Sequence, residues 1–143
     1  MRTFYYLLEH CLSSAYAGFA CPVEGIDYEM IERTPEMPVN ADFCIDVIGT
    51  SMEPYIKDGQ RVYVQRNVDV QEFEDACIWY YKGNVYCKQF CIDSDGGLLL
   101  FGSNSQRKDY NIRIPREERV NAVCYGRVIL PYKLPRPEYI NQK

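Results

Sequence analysis

At residues 43–54 the sequence reads Phe43-Cys44-Ile45-Asp46-Val47-Ile48-Gly49-Thr50-Ser51-Met52-Glu53-Pro54, and Asp58-Gly59 follows. The first six residues are mostly apolar and predict a strand. Gly49 ends that run, and Pro54 prevents a regular helix through the next turn. The sequence therefore predicts Ser51 at the end of a strand, on sharply turning backbone. Such a hydroxyl is either a nucleophile presented by the turn or an ordinary solvated turn serine.

A second stretch, Asn84-Val85-Tyr86-Cys87-Lys88-Gln89-Phe90-Cys91-Ile92, is rich in strand-forming residues. Alternation along a strand places Lys88 on one face with Tyr86, Phe90 and Ile92. A lysine directed at an apolar layer is desolvated, which lowers its pKa from about 10.4. The neutral amine is then a usable general base. The alternative is a structural lysine whose amine reaches water at the end of the strand.

The chain has one histidine, His10, and nothing around it suggests a catalytic base. A Ser-Lys arrangement of Ser51 and Lys88 is therefore favoured over a Ser-His-Asp triad. The G-x-S-M-x-P pattern at Gly49–Pro54, with Lys88 following Ser51 by 37 positions, resembles the LexA-type peptidase family. That family includes self-cleaving repressors and UmuD-like polymerase subunits. Around the lysine, Cys87-Lys88-Gln89-Phe90 stands where the family typically has a V-K-R-L-like context.

The resemblance extends to the strand and turn Leu98–Ser105 and to the closing strand Gly126–Ile129, and it covers roughly residues 36 to 130. It implies that Ser51 is the nucleophile and Lys88 the general base, with backbone support for the oxyanion around Gly49 and Met52. Family members cut themselves at an Ala-Gly or Cys-Gly bond upstream of the serine. Ala17-Gly18 lies at the corresponding distance, 33 positions before Ser51, and Ala15-Tyr16 is the nearest fallback bond.

The composition restricts the partners and cofactors of this chain. With 143 residues it is long enough for one real core, and its net charge of −4 provides no basic surface for direct nucleic-acid binding. Seven cysteines without a C-x-x-C pair, together with a single histidine, disfavour a zinc site. We therefore expect no metal and no cofactor. Cysteines that lie in apolar runs behave as small core residues, which suits a reducing cytoplasm.

Short strands separated by turn signals predict a mainly β fold, and the resemblance implies the LexA/signal-peptidase-like form with short, strongly bent strands. We expect an N-terminal segment, residues 1–35, that carries the cleavage site, and a peptidase domain, residues 36–143. The predicted strands include Arg61–Gln65, Ala76–Tyr81, Leu98–Phe101, Tyr110–Ile114 and a long Val120–Leu130. The proline-containing tail from Pro131 is expected to pack loosely. No apolar stretch approaches the length of a membrane span, unlike the membrane-anchored signal peptidases that share the serine pattern.

The functional prediction is a serine-lysine peptidase that cleaves its own N-terminal segment at Ala17-Gly18. The resemblance implies an SOS or phage-repressor-like transcriptional regulator, a RecA filament as trigger and a homodimer, with Val120–Leu130 at or near the interface. Two alternatives stay open at this point. One is a non-cleaving dimerisation or sensing module of a regulator, and the other is a UmuD-like accessory subunit of a translesion polymerase.

Overall fold

A computed structural model describes residues 7–11, 15–16 and 28–140 of the chain. The described part is mainly β, as predicted, with ten strands and two short 3-10 helices. The strands are β1 Leu7–Cys11, β2 Ala15–Tyr16, β3 Tyr28–Glu32, β4 Phe43–Ile48, β5 Arg61–Gln65, β6 Cys77–Tyr81, β7 Asn84–Ile92, β8 Leu98–Phe101, β9 Ile112–Ile114 and β10 Val123–Val128. The 3-10 helices are Ser105–Tyr110 and Arg116–Asn121.

The strands form a mixed sheet with the order β3-β1-β4-β5-β10-β6-β7-β8-β9. The short β2 lies off this path and pairs in parallel with both β4 and β7. β1 and β3 join the sheet through β4, so segments before and after residue 36 share one sheet. The division into residues 1–35 and 36–143 stays a prediction.

β7 is the strand that connects the two halves of the sheet. Its first part, through Lys88, pairs with β6, and its second part, from Gln89, pairs with β8. The β6–β7 connection is a tight hairpin in which Lys82 and Gly83 both have positive φ, the geometry that matches strand twist. All seven interior residues of β7 are buried, so both faces of this strand lie in the core.

Two apolar clusters flank this strand. The larger contains Phe43, Ile45, Met52 and Val85 with neighbours from β5, β6 and β10. The second contains Trp79, Tyr86, Phe90 and Leu100, on the side toward β8 and β9. Burial of these side chains, each worth about 1.5–3 kcal/mol before entropy is counted, is the main stabilising contribution. Within the described ranges, no helix is long and apolar enough to cross a membrane.

The structure confirms four predicted strands with their bounds, Phe43–Ile48, Arg61–Gln65, Asn84–Ile92 and Leu98–Phe101. Other predictions are corrected. The strand predicted over Val120–Leu130 covers only Val123–Val128, because the preceding residues form a 3-10 helix. This strand, β10, lies inside the sheet between β5 and β6. The other 3-10 helix, Ser105–Tyr110, follows β8.

The tail after Pro131 is packed, contrary to the expectation that it would be loose. Leu134 is buried in the larger cluster and Ile140 is buried beside Cys91 and Phe101. The Leu134 amide donates to the Glu74 carbonyl, which fixes the backbone of the tail against the loop before β6. The prolines of this tail do not stop its apolar side chains from docking.

Candidate active site

Ser51 lies in the turn between β4 and β5. Gly49 has φ of 111°, which favours glycine, and its N–H donates to Asp58 Oδ1 at 2.9 Å. The Gly59 amide donates to the Val47 carbonyl at 2.7 Å. The two hydrogen bonds join the start and the end of the loop that carries Ser51. Ser51 has no exposed surface. The interpretation as a solvated turn serine is therefore wrong.

Lys88 is the last residue of β7 that pairs with β6, and its side chain is also fully buried. A lysine that reaches water at the strand end does not fit this position. Burial lowers the pKa of Lys88 to about 8, although Cys87 and Asp109 act in the opposite direction. The cause is desolvation, which disfavours the ammonium ion in an apolar environment. A large fraction of Lys88 amines is thus neutral at mildly alkaline pH.

The two predicted residues meet across the core. Lys88 Nζ donates to Ser51 Oγ at 2.8 Å, although 37 positions separate the residues in sequence. When the amine is neutral, the same separation lets the Ser51 hydroxyl donate to Nζ instead. This is the geometry that a nucleophile and its general base require. The arrangement can therefore activate a hydroxyl without a histidine, whereas His10 lies on β1 and interacts with Glu29 and Asp46.

The segment that follows β8 fixes the backbone on which Ser51 sits. The Asn104 amide donates to the Ser51 carbonyl at 2.9 Å, and Asn104 Nδ2 donates to the Thr50 carbonyl at 3.0 Å. A Cβ added to Gly102 would lie 2.3 Å from the Ser51 carbonyl oxygen and 3.0 Å from Oγ. Only a glycine lets the two backbones approach this closely.

The C-terminal tail reaches the same segment through Tyr139, a residue that no sequence pattern singled out. Tyr139 Oη donates to the Gly102 carbonyl at 2.6 Å, and Asn111 Nδ2 donates to Tyr139 Oη at 3.3 Å. The Gly102 amide donates to Asn111 Oδ1 at 3.2 Å, which closes the network. A lone tyrosine beyond the last strand carries no local pattern. Only its three-dimensional contacts connect it with Ser51.

The two residues predicted to support the oxyanion, Gly49 and Met52, differ in their hydrogen bonding. The Gly49 N–H is engaged by Asp58, so Gly49 contributes a turn rather than a free donor. The Met52 side chain is fully buried in the larger apolar cluster, and its carbonyl accepts from the Tyr55 and Ile56 amides. Among the described residues, the Met52 N–H has no hydrogen-bond acceptor. The part of Met52 as backbone support for the oxyanion stays a prediction.

The backbone of β2 lies between the two strands that lead to this pair. Ala15 pairs with Val47, and Tyr16 pairs with both Ile48 of β4 and Tyr86 of β7. All three strands run in parallel, so β2 points in the direction in which β4 leads to Ser51 and β7 leads to Lys88. The predicted cleavage residues, Ala17 and Gly18, lie outside the described residues.

Among the described residues, no group of three or more histidine, cysteine, aspartate and glutamate side chains could hold a metal ion.

Comparison with known protein families found one matching family, described as Peptidase S24-like, over residues 11–129. A search of curated proteins found no match. The matched region runs from the end of β1 through β10 and contains both Ser51 and Lys88. It covers most of the chain, and the chain therefore belongs to the Peptidase S24-like family.

Proposed function

We propose that the chain is a serine-lysine peptidase that cleaves its own N-terminal segment between Ala17 and Gly18. The observation that supports this most directly is the 2.8 Å contact of Lys88 Nζ with Ser51 Oγ inside the core. A lysine whose pKa is lowered to about 8 can serve as a base near physiological pH. Membership of the S24-like family agrees with this chemistry.

In the proposed reaction, Ser51 Oγ attacks the Ala17 carbonyl carbon while neutral Lys88 accepts the hydroxyl proton. The Met52 N–H stabilises the negative charge that develops on the carbonyl oxygen. The Ala17–Gly18 bond then breaks, and Lys88 gives its proton to the departing Gly18 amine. Water hydrolyses the Ser51 ester that remains, with Lys88 again acting as base.

The position of β2 supports the chain's own segment as the substrate. Its last residue, Tyr16, immediately precedes Ala17 and is hydrogen-bonded into the sheet between β4 and β7. Adding a strand to a sheet is a common way to hold a peptide, because the main chain supplies the affinity. A tethered substrate also avoids the entropic cost of bringing two molecules together. Since Ser51 and Lys88 have no exposed surface, a segment already in place has an advantage over a free peptide.

The wider biological role that we propose follows the resemblance to LexA-type proteins. The chain would act in the cytoplasm as part of an SOS or phage-repressor-like regulator, as a homodimer, with cleavage triggered by a RecA filament. Its net charge of −4 argues against direct nucleic-acid binding by this chain. A non-cleaving sensing module and a UmuD-like polymerase subunit are the competing roles.

The decisive experiment compares wild type with Ser51→Ala by intact-mass spectrometry after incubation at alkaline pH. We expect two fragments from wild type, with the larger beginning at Gly18 by N-terminal sequencing, and no fragments from Ser51→Ala. Equal fragment yields from both chains would remove Ser51 from the mechanism. An intact wild-type chain would favour the non-cleaving module, and a start after Ala15 would select the fallback bond.

A further inference from the structure

The proposed cut between Ala17 and Gly18 would leave β1 and β2 on one piece and all other described strands on the second piece. β1 is an interior strand of the sheet. It pairs with β3 along its whole length and with β4 at Phe43 and Cys44. Because β5 pairs with β4 over the same residues, it occupies the opposite edge of β4. The N-terminal piece would therefore be inserted between two strands of the other piece.

Two side chains of β1 also belong to the core of the other piece. Leu8 is 1% exposed and packs in an apolar cluster with Ala41 and Cys44. Cys11 is 3% exposed and packs in the larger cluster around Phe43. The described partners of both side chains lie at residue 28 or later, beyond the proposed cut. Cleavage would therefore divide the core between two chains.

Polar contacts join the same two pieces. Glu9 Oε1 forms an ion pair with Arg66 at 3.0 Å, and His10 Nδ1 lies 2.9 Å from Glu29 Oε2. Both contacts are partly exposed, so each contributes little to affinity. They fix the register of β1, whereas its backbone hydrogen bonds and buried apolar side chains hold it in place.

Loss of the N-terminal piece would leave strands of the other piece without partners. Among the described strands, β3 pairs with β1 alone. β4 would lose β1 and also β2, which pairs with it at Val47 and Ile48. Backbone N–H and C=O groups of β3 and β4, and the apolar side chains packed on Leu8, would become exposed to water. This exposure opposes release of the piece.

We propose that the N-terminal piece stays bound after cleavage, as an inserted strand in a peptide-binding site formed by β3 and β4. The site takes a short extended segment, with main-chain hydrogen bonds on both sides, an apolar cluster for Leu8 and Arg66 opposite Glu9. This inference rests on the proposed cut between Ala17 and Gly18. It adds that cleavage yields a nicked protein of two pieces, so removal of the N-terminal piece is a separate step.

The test incubates the wild-type chain at alkaline pH until it is cut, and then applies it to gel filtration in native buffer. Denaturing mass spectrometry of the protein peak should show both pieces in equal molar amounts. Gel filtration in urea should separate them. A dilution series then gives the dissociation constant of the N-terminal piece.

Leu8→Ser should raise this dissociation constant about 10- to 100-fold, because the piece no longer buries a leucine. Met30→Ser is the matched control, since Met30 is an apolar residue of the adjacent β3 that is 48% exposed, and it should leave retention unchanged. Glu9→Lys places a like charge opposite Arg66 and should weaken retention several-fold. This milder variant covers the case in which Leu8→Ser does not fold.

A second chain makes the result independent of self-cleavage. In Ser51→Ala, the recognition sequence of a site-specific protease, flanked by glycine-serine linkers, is inserted after Gly25, outside the described residues, and that protease makes the cut. Retention of the piece in this chain supports the inference even if the wild-type chain stays intact, a result that refutes only the proposed function. The inference is overturned if the native protein peak of a cut chain holds the larger piece alone. It is also overturned if Leu8→Ser and Met30→Ser release the piece equally.

Discussion

At the scale of single residues, Lys88 combines a catalytic opportunity with a cost in stability. Its pKa is lowered from 10.5 to about 8. This shift corresponds to a free-energy cost of about 3 kcal/mol for holding the protonated amine in the core. Below about pH 8 both the folded and the unfolded chain bind the proton, so this cost is fully present. Above that pH the folded chain releases the proton while the unfolded chain keeps it. The contribution of Lys88 to the free energy of unfolding therefore rises with pH from about 8 up to about 10.5.

This linkage predicts the effect of Lys88→Met, measured in the Ser51→Ala background to prevent cleavage. Methionine fills a volume similar to that of the lysine side chain, whereas alanine would leave a cavity. We expect Lys88→Met to be more stable by about 1–3 kcal/mol at pH 7, with the gain shrinking toward pH 10. Urea unfolding at the two pH values measures it. A gain that does not change with pH, or a loss at pH 7, would contradict the assigned protonation of Lys88.

At the scale of elements, the segment Gly102–Asn104 connects Ser51 to the C-terminal tail. Tyr139 holds the Gly102 carbonyl, and Asn104 holds the Ser51 and Thr50 carbonyls. The tail is therefore linked by hydrogen bonds to the backbone at Ser51, although it lies far from Ser51 in sequence. We propose that Tyr139 is a positioning residue rather than a catalytic one.

Tyr139→Phe removes the hydroxyl, and with it the hydrogen bonds to the Gly102 carbonyl and to Asn111, but keeps the ring. We expect a loss of about 1–2 kcal/mol in the free energy of unfolding and a several-fold slower self-cleavage at alkaline pH. The pH at which cleavage is half-maximal should not change, because Lys88 is untouched. Tyr132→Phe is the matched control, since Tyr132 is an exposed tyrosine of the same tail. If both variants cleave at the wild-type rate, Tyr139 does not position Ser51.

The individual elements also show how much of the structure could be predicted from the sequence. Strands with strict apolar patterns and clear turn signals, such as Phe43–Ile48 and Asn84–Ile92, were predictable to the residue. Ser51 and Lys88 could be selected because each residue type stood in an unusual local context. Tyr139 and Asn104 could not, because their roles arise from hydrogen bonds to backbone that is distant in sequence. The apolar run after Val120 was misjudged for a related reason, since a 3-10 turn and a bulge interrupt it.

At the scale of the whole molecule, the homodimer stays a prediction. β10 is hydrogen-bonded to β5 on one side and to β6 on the other. A second chain therefore cannot pair with the backbone of β10 along its full length. Exposed apolar side chains, including Val120 and Val123, nevertheless lie at its start. We expect Ser51→Ala to sediment at micromolar concentration as a species of twice 16.7 kDa. Adding Val120→Asp to this chain should shift the equilibrium from dimer toward monomer. A 16.7 kDa species for the Ser51→Ala chain with Val120 intact would end the dimer proposal.

The central claim, that neutral Lys88 activates Ser51, is tested most directly by the pH dependence of self-cleavage. Below about pH 8 the rate for wild type should rise about tenfold per pH unit, because only the neutral amine accepts the serine proton. Above that pH the rate should level off. Lys88→Arg should not cleave at any pH, since a guanidinium stays charged. A wild-type rate that is independent of pH from about 6 to about 10, or a cleaving Lys88→Arg chain, would contradict the account.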